Sequence, residues 1–168
     1  MLTRVAIFAC IASLSIAGDR KQAEREFMRE LRREEQRHKK LAAQPTPAQW
    51  HVGAVWRFIT TAPHGKPQVP TITVRVTDER AQSCTSSGDW KKNDWRRLSL
   101  VDSKAPLPPI FQVDGRALWI EVAGEICDVY DTIDGVLTGR EFKGHRSTSG
   151  LGAAGEDLGT VQGSYVGD

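Results

Sequence analysis

The sequence predicts a mainly β fold: an antiparallel meander of about eight strands closed into a small barrel, preceded by one charged N-terminal α-helix. Three observations lead there. Residues 19–43 are a run of strong helix formers without glycine or proline, and no helical period recurs after them. From Trp50 onward, short runs of β-branched and aromatic residues take over, and in the clearest of them apolar and polar side chains alternate. Two Asp-Gly pairs, Asp114-Gly115 and Asp134-Gly135, each stand between two such runs, the strongest short signal for a hairpin. Consecutive hairpins favour closure, because a closed barrel leaves no strand edge exposed. A two-sheet β-sandwich is the alternative.

Residues 1–17, MLTRVAIFACIASLSIA, read as a signal peptide. Arg4 precedes an apolar run from Val5 to Ile16, and Ser15 and Ala17 occupy the −3 and −1 positions of a cut before Gly18. The run is about a dozen residues, short of the roughly 20 that a membrane-spanning helix needs. The expectation is export to the periplasm or the extracellular space, with no membrane span after cleavage. Cys10 would leave with the signal, so the mature chain keeps Cys84 and Cys127. In an oxidising compartment such a pair reads as a disulfide. It would stabilise the fold by about 4 kcal/mol in the chain-entropy model.

Residues 18–43 form the predicted helical arm, with Asp19 as N-cap. Glu26–Arg29, Glu30–Arg33 and Glu34–Arg37 are i,i+3 pairs, and Glu35–Lys39 is an i,i+4 pair. Each such pair contributes only about 0.2–0.5 kcal/mol. The apolar stripe is thin: Ala23, Phe27 and Leu31 with Met28 beside them, after which Glu34, Glu35 and His38 occupy the same face. Phe27, Met28 and Leu31 are the candidate partner-binding residues of the arm, although charged runs are most often simply solvated. Residues 44–49, QPTPAQ, break the helix as a proline-containing linker.

The barrel domain is assigned to residues 50–168. Its strand candidates are 54–61, 71–77, 96–102, 110–122 as a hairpin, 128–142 as a second hairpin around Asp134-Gly135, and 158–166. Ile72, Val74 and Val76 share one face of their strand while Thr71, Thr73, Arg75 and Thr77 share the other. Trp56 and Trp119, inside strand candidates, read as core. GHRSTSG (144–150) reads as a polar loop.

Charge excludes one class of partner. Residues 19–40 hold nine basic and six acidic side chains, so the basic excess sits on the arm and the remainder of the mature chain is slightly acidic. A nucleic-acid-binding surface would need a strongly basic face. No cofactor is expected. Gly150, Gly152 and Gly155 match G-x-G-x-x-G, but a dinucleotide site also needs a following helix and an acid about 20 residues on. No metal site is expected either. Asp128, Asp131 and Asp134 recur every three residues, which is not calcium-loop spacing, and the four histidines lack metal-ligand spacing.

One segment suggests a binding surface. In residues 89–97 the tryptophans Trp90 and Trp95 are interleaved with Lys91, Lys92, Arg96 and Arg97, and Trp and Arg dominate binding hot spots. The competing reading is a tryptophan plugging a barrel end. Together these features favour an exported, non-enzymatic binding or interaction module for a small ligand or partner protein. The alternatives are an exported hydrolase using His145 with Ser147 or Ser149, and a structural envelope protein.

Overall fold

In the computed structural model, which describes residues 17–81, 94–101, 108–124, 129–150 and 153–168, helix α1 (Ala17–Ala42) leads into eight strands. These are β1 (Val55–Thr61), β2 (Ile72–Arg80), β3 (Arg96–Leu100), β4 (Ile110–Asp114), β5 (Ala117–Glu121), β6 (Val129–Thr138), β7 (Glu141–Gly150) and β8 (Ala153–Gly167). Each strand pairs antiparallel with its neighbour in sequence, and β8 returns to pair with β1 from Trp56↔Tyr165 to Thr61↔Thr160. The sheet is a closed barrel, as the hairpin pattern predicts, and the sandwich alternative is set aside. The predicted signal peptide lies outside the described residues apart from Ala17, as do Cys84 and Cys127.

Strand alternation fills the barrel. On β1, Trp56 and Phe58 are buried while Arg57 and Ile59 are exposed. Val74, Val76, Leu98, Leu118, Ile120, Ile133, Leu137, Phe142 and Val161 supply the rest of the core from the other strands. Fully burying one such side chain stabilises by about 1.5–3 kcal/mol. The outer wall is largely polar, with Arg57, Arg75, Lys143 and Gln162 exposed. A membrane-spanning barrel has the reverse arrangement, an apolar outer band around a polar interior. Among the described residues no helix is long and apolar enough to cross a membrane.

The two Asp-Gly pairs behave differently. Gly115 begins the two-residue turn between β4 and β5 with φ +57°, as the hairpin signal predicts. Asp134-Gly135 is not a turn. Both residues lie in the middle of β6, where Gly135 pairs with Leu118 on one side and Gly144 on the other. The hairpin turns instead at Gly139-Arg140, with Gly139 at φ +56°. Gly135 is needed for room rather than for a turn, since a Cβ there would stand 2.7 Å from the Phe142 ring. GHRSTSG likewise belongs to strand β7, bonded on both sides by β6 and β8, not to a loop. Ladders on both sides, the one to β8 interrupted by bulges at Arg146/Ser147 and Thr148/Gly150, hold the segment as a strand despite its weak β-propensity.

Two tryptophan expectations part company as well. Trp56 is fully buried in the core. Trp119 lies between the inward-facing Leu118 and Ile120, so it points outward and is half-buried on the wall. Helix α1 reaches that wall. It touches β5, and its Glu34 and Arg37 act electrostatically on Asp134, the cross-strand neighbour of Trp119.

Among the residues of the arm whose burial is described, contact is confined to Leu31 and beyond. Residues 21–30 are all exposed, whereas Leu31, Glu35, Leu41 and Ala42 are partly buried. The Arg116 N–H donates to the Leu41 carbonyl at 3.1 Å. Gly115 packs so tightly beneath the Leu41, Ala42 and Gln44 carbonyls that a Cβ would clash with all three. Along the helix, Arg37–Glu34 (3.4 Å) and Lys39–Glu35 (2.9 Å) form as predicted. Asp19 lies inside the helix rather than at its cap, because the helix already begins at Ala17.

Candidate functional site

The two ends of the barrel are built from opposite chemistry. Where α1 enters, Trp50 closes the end. It is 7% exposed and packs 5.4 Å from Trp56 and 5.3 Å from Phe111, centroid to centroid. From Trp56 the aromatic column continues through Phe58 to Phe142. The turn Pro47–Trp50 sets this plug, with the Trp50 N–H donating to the Pro47 carbonyl at 2.9 Å.

At the other end, polar side chains turn inward. Ile133 pairs with Arg146 and Asp131 with Thr148 across β6 and β7, so Asp131 and Arg146 share the phase of the core residue Ile133. Arg146 is 5% exposed. Its Nε and Nη2 donate to the two carboxylate oxygens of Asp131 at 2.8 and 2.7 Å, a bidentate ion pair inside the barrel. Its remaining nitrogen, Nη1, is buried without a hydrogen-bond partner. On β1, near the same end, the buried Thr60 hydroxyl also lacks one. Leaving a buried polar group unpaired costs about 1–3 kcal/mol, and more for a charged one.

Arg146 and Asp131 form part of the lining of a cavity of about 310 Å³. Its apolar lining comes from Pro67, Val69 and Pro70 of the β1–β2 loop and from Leu158 of β8. The loop is tied across the opening by Lys66, whose ammonium lies 2.6 Å from Glu156. That contact raises the Lys66 pKa. Asp157, also on the rim, lies 3.0 Å from His145 Nε2 and accepts the Gly159 N–H at 2.7 Å. Each ionised group around the cavity therefore already has a counter-charge or a hydrogen-bond partner, and the Arg146 Nη1 is the donor left over.

The residues singled out from sequence fall elsewhere. Trp90, Lys91 and Lys92 lie outside the described residues. Trp95 is 5% exposed, so its indole is packed rather than presented. Arg96 donates to the Asp78 carbonyl at 3.0 Å, and Arg97 pairs with Glu79. On the arm, Phe27 and Met28 are 39% and 45% exposed, and Leu31 is half-buried. His145 faces outward on β7, bonded to Asp157, while the Ser147 hydroxyl lies 3.3 Å from that of Thr132. Among the described residues no hydrogen bond joins His145 to Ser147 or Ser149. Asp131 and Asp134 face opposite sides of β6, as period-two alternation requires, and Asp128 lies outside the described residues. No group of three potential metal ligands comes together among the described residues.

Sequence reasoning passed over Arg146, and it set Asp131 aside as a poor calcium ligand without finding a partner for it. The usable signal was the alternation Phe142, Gly144, Arg146, Thr148. It places one arginine in the inward phase, where a charge needs a counter-charge. Compared with known proteins, the chain matches no family model, no curated protein and no solved structure.

Proposed function

We propose that this chain is an exported, non-enzymatic binding module that takes a small ligand at the open end of its barrel. The observation that carries this reading is Arg146: buried, paired with Asp131, and in the lining of a largely apolar cavity, with an Nη1 that has no hydrogen-bond partner among the described residues. Ligand sites are typically concave and mostly apolar, with a few well-placed polar groups, and barrel mouths are a common place for them. The cavity is at the small end of the usual range of about 300–1,000 Å³, which suits a compact molecule. Export rests on the composition of residues 1–17, and a Cys84–Cys127 disulfide belongs to the same proposal.

Native mass spectrometry of the full-length gene product, recovered from the compartment to which it is delivered, tests the reading. The expected spectrum shows a small non-covalent adduct that is lost on unfolding and absent from Leu158→Trp, which fills the cavity. Denaturing intact mass should begin at Gly18 and be two protons lighter than the dithiol form. Free thiols at Cys84 and Cys127 would remove the disulfide and weaken the case for export. Turnover of an ester or amide substrate that disappears in His145→Ala would replace the binding module with the hydrolase.

A further inference from the structure

Resting on that reading, we infer the chemical class of the ligand: a compact, uncharged molecule with an apolar body and one carbonyl acceptor, which receives its hydrogen bond from Arg146 Nη1. Charge and hydrogen-bonding capacity both point this way. Asp131 takes up the charge of Arg146 through two short hydrogen bonds, Lys66 is matched by Glu156, and Asp157 is held by His145 and the Gly159 N–H. With its ionised groups already engaged, the site has no free charge to offer an ionic ligand. An anion would also meet three rim carboxylates, those of Asp131, Glu156 and Asp157, and desolvating a charged ligand here would go uncompensated. A neutral carbonyl meets neither obstacle. It accepts from Nη1 without disturbing the ion pair, while Pro67, Val69, Pro70 and Leu158 cover its apolar part. Guanidinium hydrogen bonds are stronger than neutral ones, which makes a single contact sufficient to orient a small molecule.

Nη1 is not in contact with solvent, so an acceptor reaches it only with a local rearrangement around the cavity. The tie holding the β1–β2 loop, Lys66–Glu156, is between two half-exposed side chains, and such exposed pairs contribute little.

Three ring-matched probes test the inference on the full mature chain by ¹H–¹⁵N NMR: ε-caprolactam, cyclohexanecarboxylate and cyclohexylammonium. The lactam should shift the Arg146 Nε–H and the Val69 and Leu158 amides saturably. The two ions should bind there about tenfold or more weakly, the equivalent of one hydrogen bond to a charged group. Leu158→Trp should abolish the lactam shifts while keeping the amide pattern of the opposite barrel end, so a folding defect in an Arg146 variant would not obscure the result. Equal or tighter binding of either ion at the same residues would overturn the carbonyl assignment and leave the open end as a ligand site. Lactam shifts that survive in Leu158→Trp would overturn the assignment too. If none of the probes moves Arg146, Val69 or Leu158, both the ligand class and the binding-module reading fall.

Discussion

One barrel carries two ends that solve the same problem in opposite ways. Both must terminate a column of inward-facing side chains. The α1 end does so with an aromatic plug, Trp50 over Trp56 and Phe111. The other end does so with a buried ion pair, Asp131–Arg146; buried donors without a partner occur at both ends, Trp50 Nε1 at the plug and Arg146 Nη1 here. Aromatic pairs of this geometry stabilise by about 0.5–1.5 kcal/mol beyond their buried area. A buried ion pair is on balance weak evidence for stability, because desolvation offsets most of its attraction. A chain optimised for stability alone would plug both ends with apolar groups.

The plug is where disruption should cost most. Trp50→Ala removes a large buried indole together with both of its aromatic contacts, a loss of about 3–5 kcal/mol. For a chain of this size that corresponds to a fall in thermal midpoint of roughly 10 °C, read by circular dichroism. A midpoint unchanged in Trp50→Ala would break the contrast between the ends. At the polar end the sign depends on how the pair is removed. Asp131→Ala strands a buried guanidinium and should destabilise by about 3 kcal/mol. Asp131→Leu combined with Arg146→Met removes both charges and should recover most of that loss. If the double variant is as unstable as the single one, the pair is a stability element, and the functional distinction between the two ends disappears.

How much of this was legible beforehand follows from what is local. The β1 and β2 alternation, the Gly115 turn and the helical run are encoded within a few residues, and the structure has each of them. Asp134-Gly135 carries the same dipeptide signal as Asp114-Gly115, yet its glycine serves a long-range need, the approach of Phe142 and Gly144. No dipeptide rule distinguishes those two uses. The site was the least legible part for the same reason. Arg146 and Asp131 meet only because the β6–β7 hairpin turns at Gly139-Arg140, and placing that turn at Gly135 shifts every cross-strand partner. Trp119 shows the remaining limit: strand alternation places it on the outer wall, but only the position of α1 explains why that wall is partly covered.

A smaller effect should appear where α1 lies over the wall. Asp134 keeps an exposed surface, but the groups crowded around its carboxyl disfavour the charge and raise its pKa, opposed by the nearby His145 and Arg37 and reinforced by Glu34. The folded chain therefore holds that proton more tightly than the unfolded chain does. The ionised carboxylate costs stability above its raised folded pKa, and the cost fades as pH falls through that value toward the ordinary 3.8. Asp134→Asn should accordingly be more stable than the parent at neutral pH, with the difference vanishing below about 3.8. Paired melts at the two pH values check this. A gain that persists at low pH would mean that the charge of Asp134 is not its cause.

The smallest effect is expected in the exposed part of the arm, and it sharpens the comparison by showing where the plugged end begins. Residues 21–30 touch nothing that buries them, while Leu41, Ala42 and Gln44 sit against the β4–β5 turn next to the Trp50 plug. A chain beginning at Arg32 should melt within about 2 °C of one beginning at Gly18, since exposed helix pairs are worth only a few tenths of a kcal/mol each. A chain beginning at Gln49 also loses the Leu41 carbonyl that accepts the Arg116 N–H and the cover above Gly115, so its midpoint should fall further. Such a fall would make the end of the helix, with Gln44, a seat on the β4–β5 turn rather than part of an uncoupled arm. Equal midpoints for the two shortened chains would restore the separable arm that the sequence alone suggests, and would leave Trp50 as the whole of the closure. If the chain beginning at Arg32 already loses many degrees, the Phe27–Leu31 stripe is packed as core, and the closed end extends along the helix to that stripe.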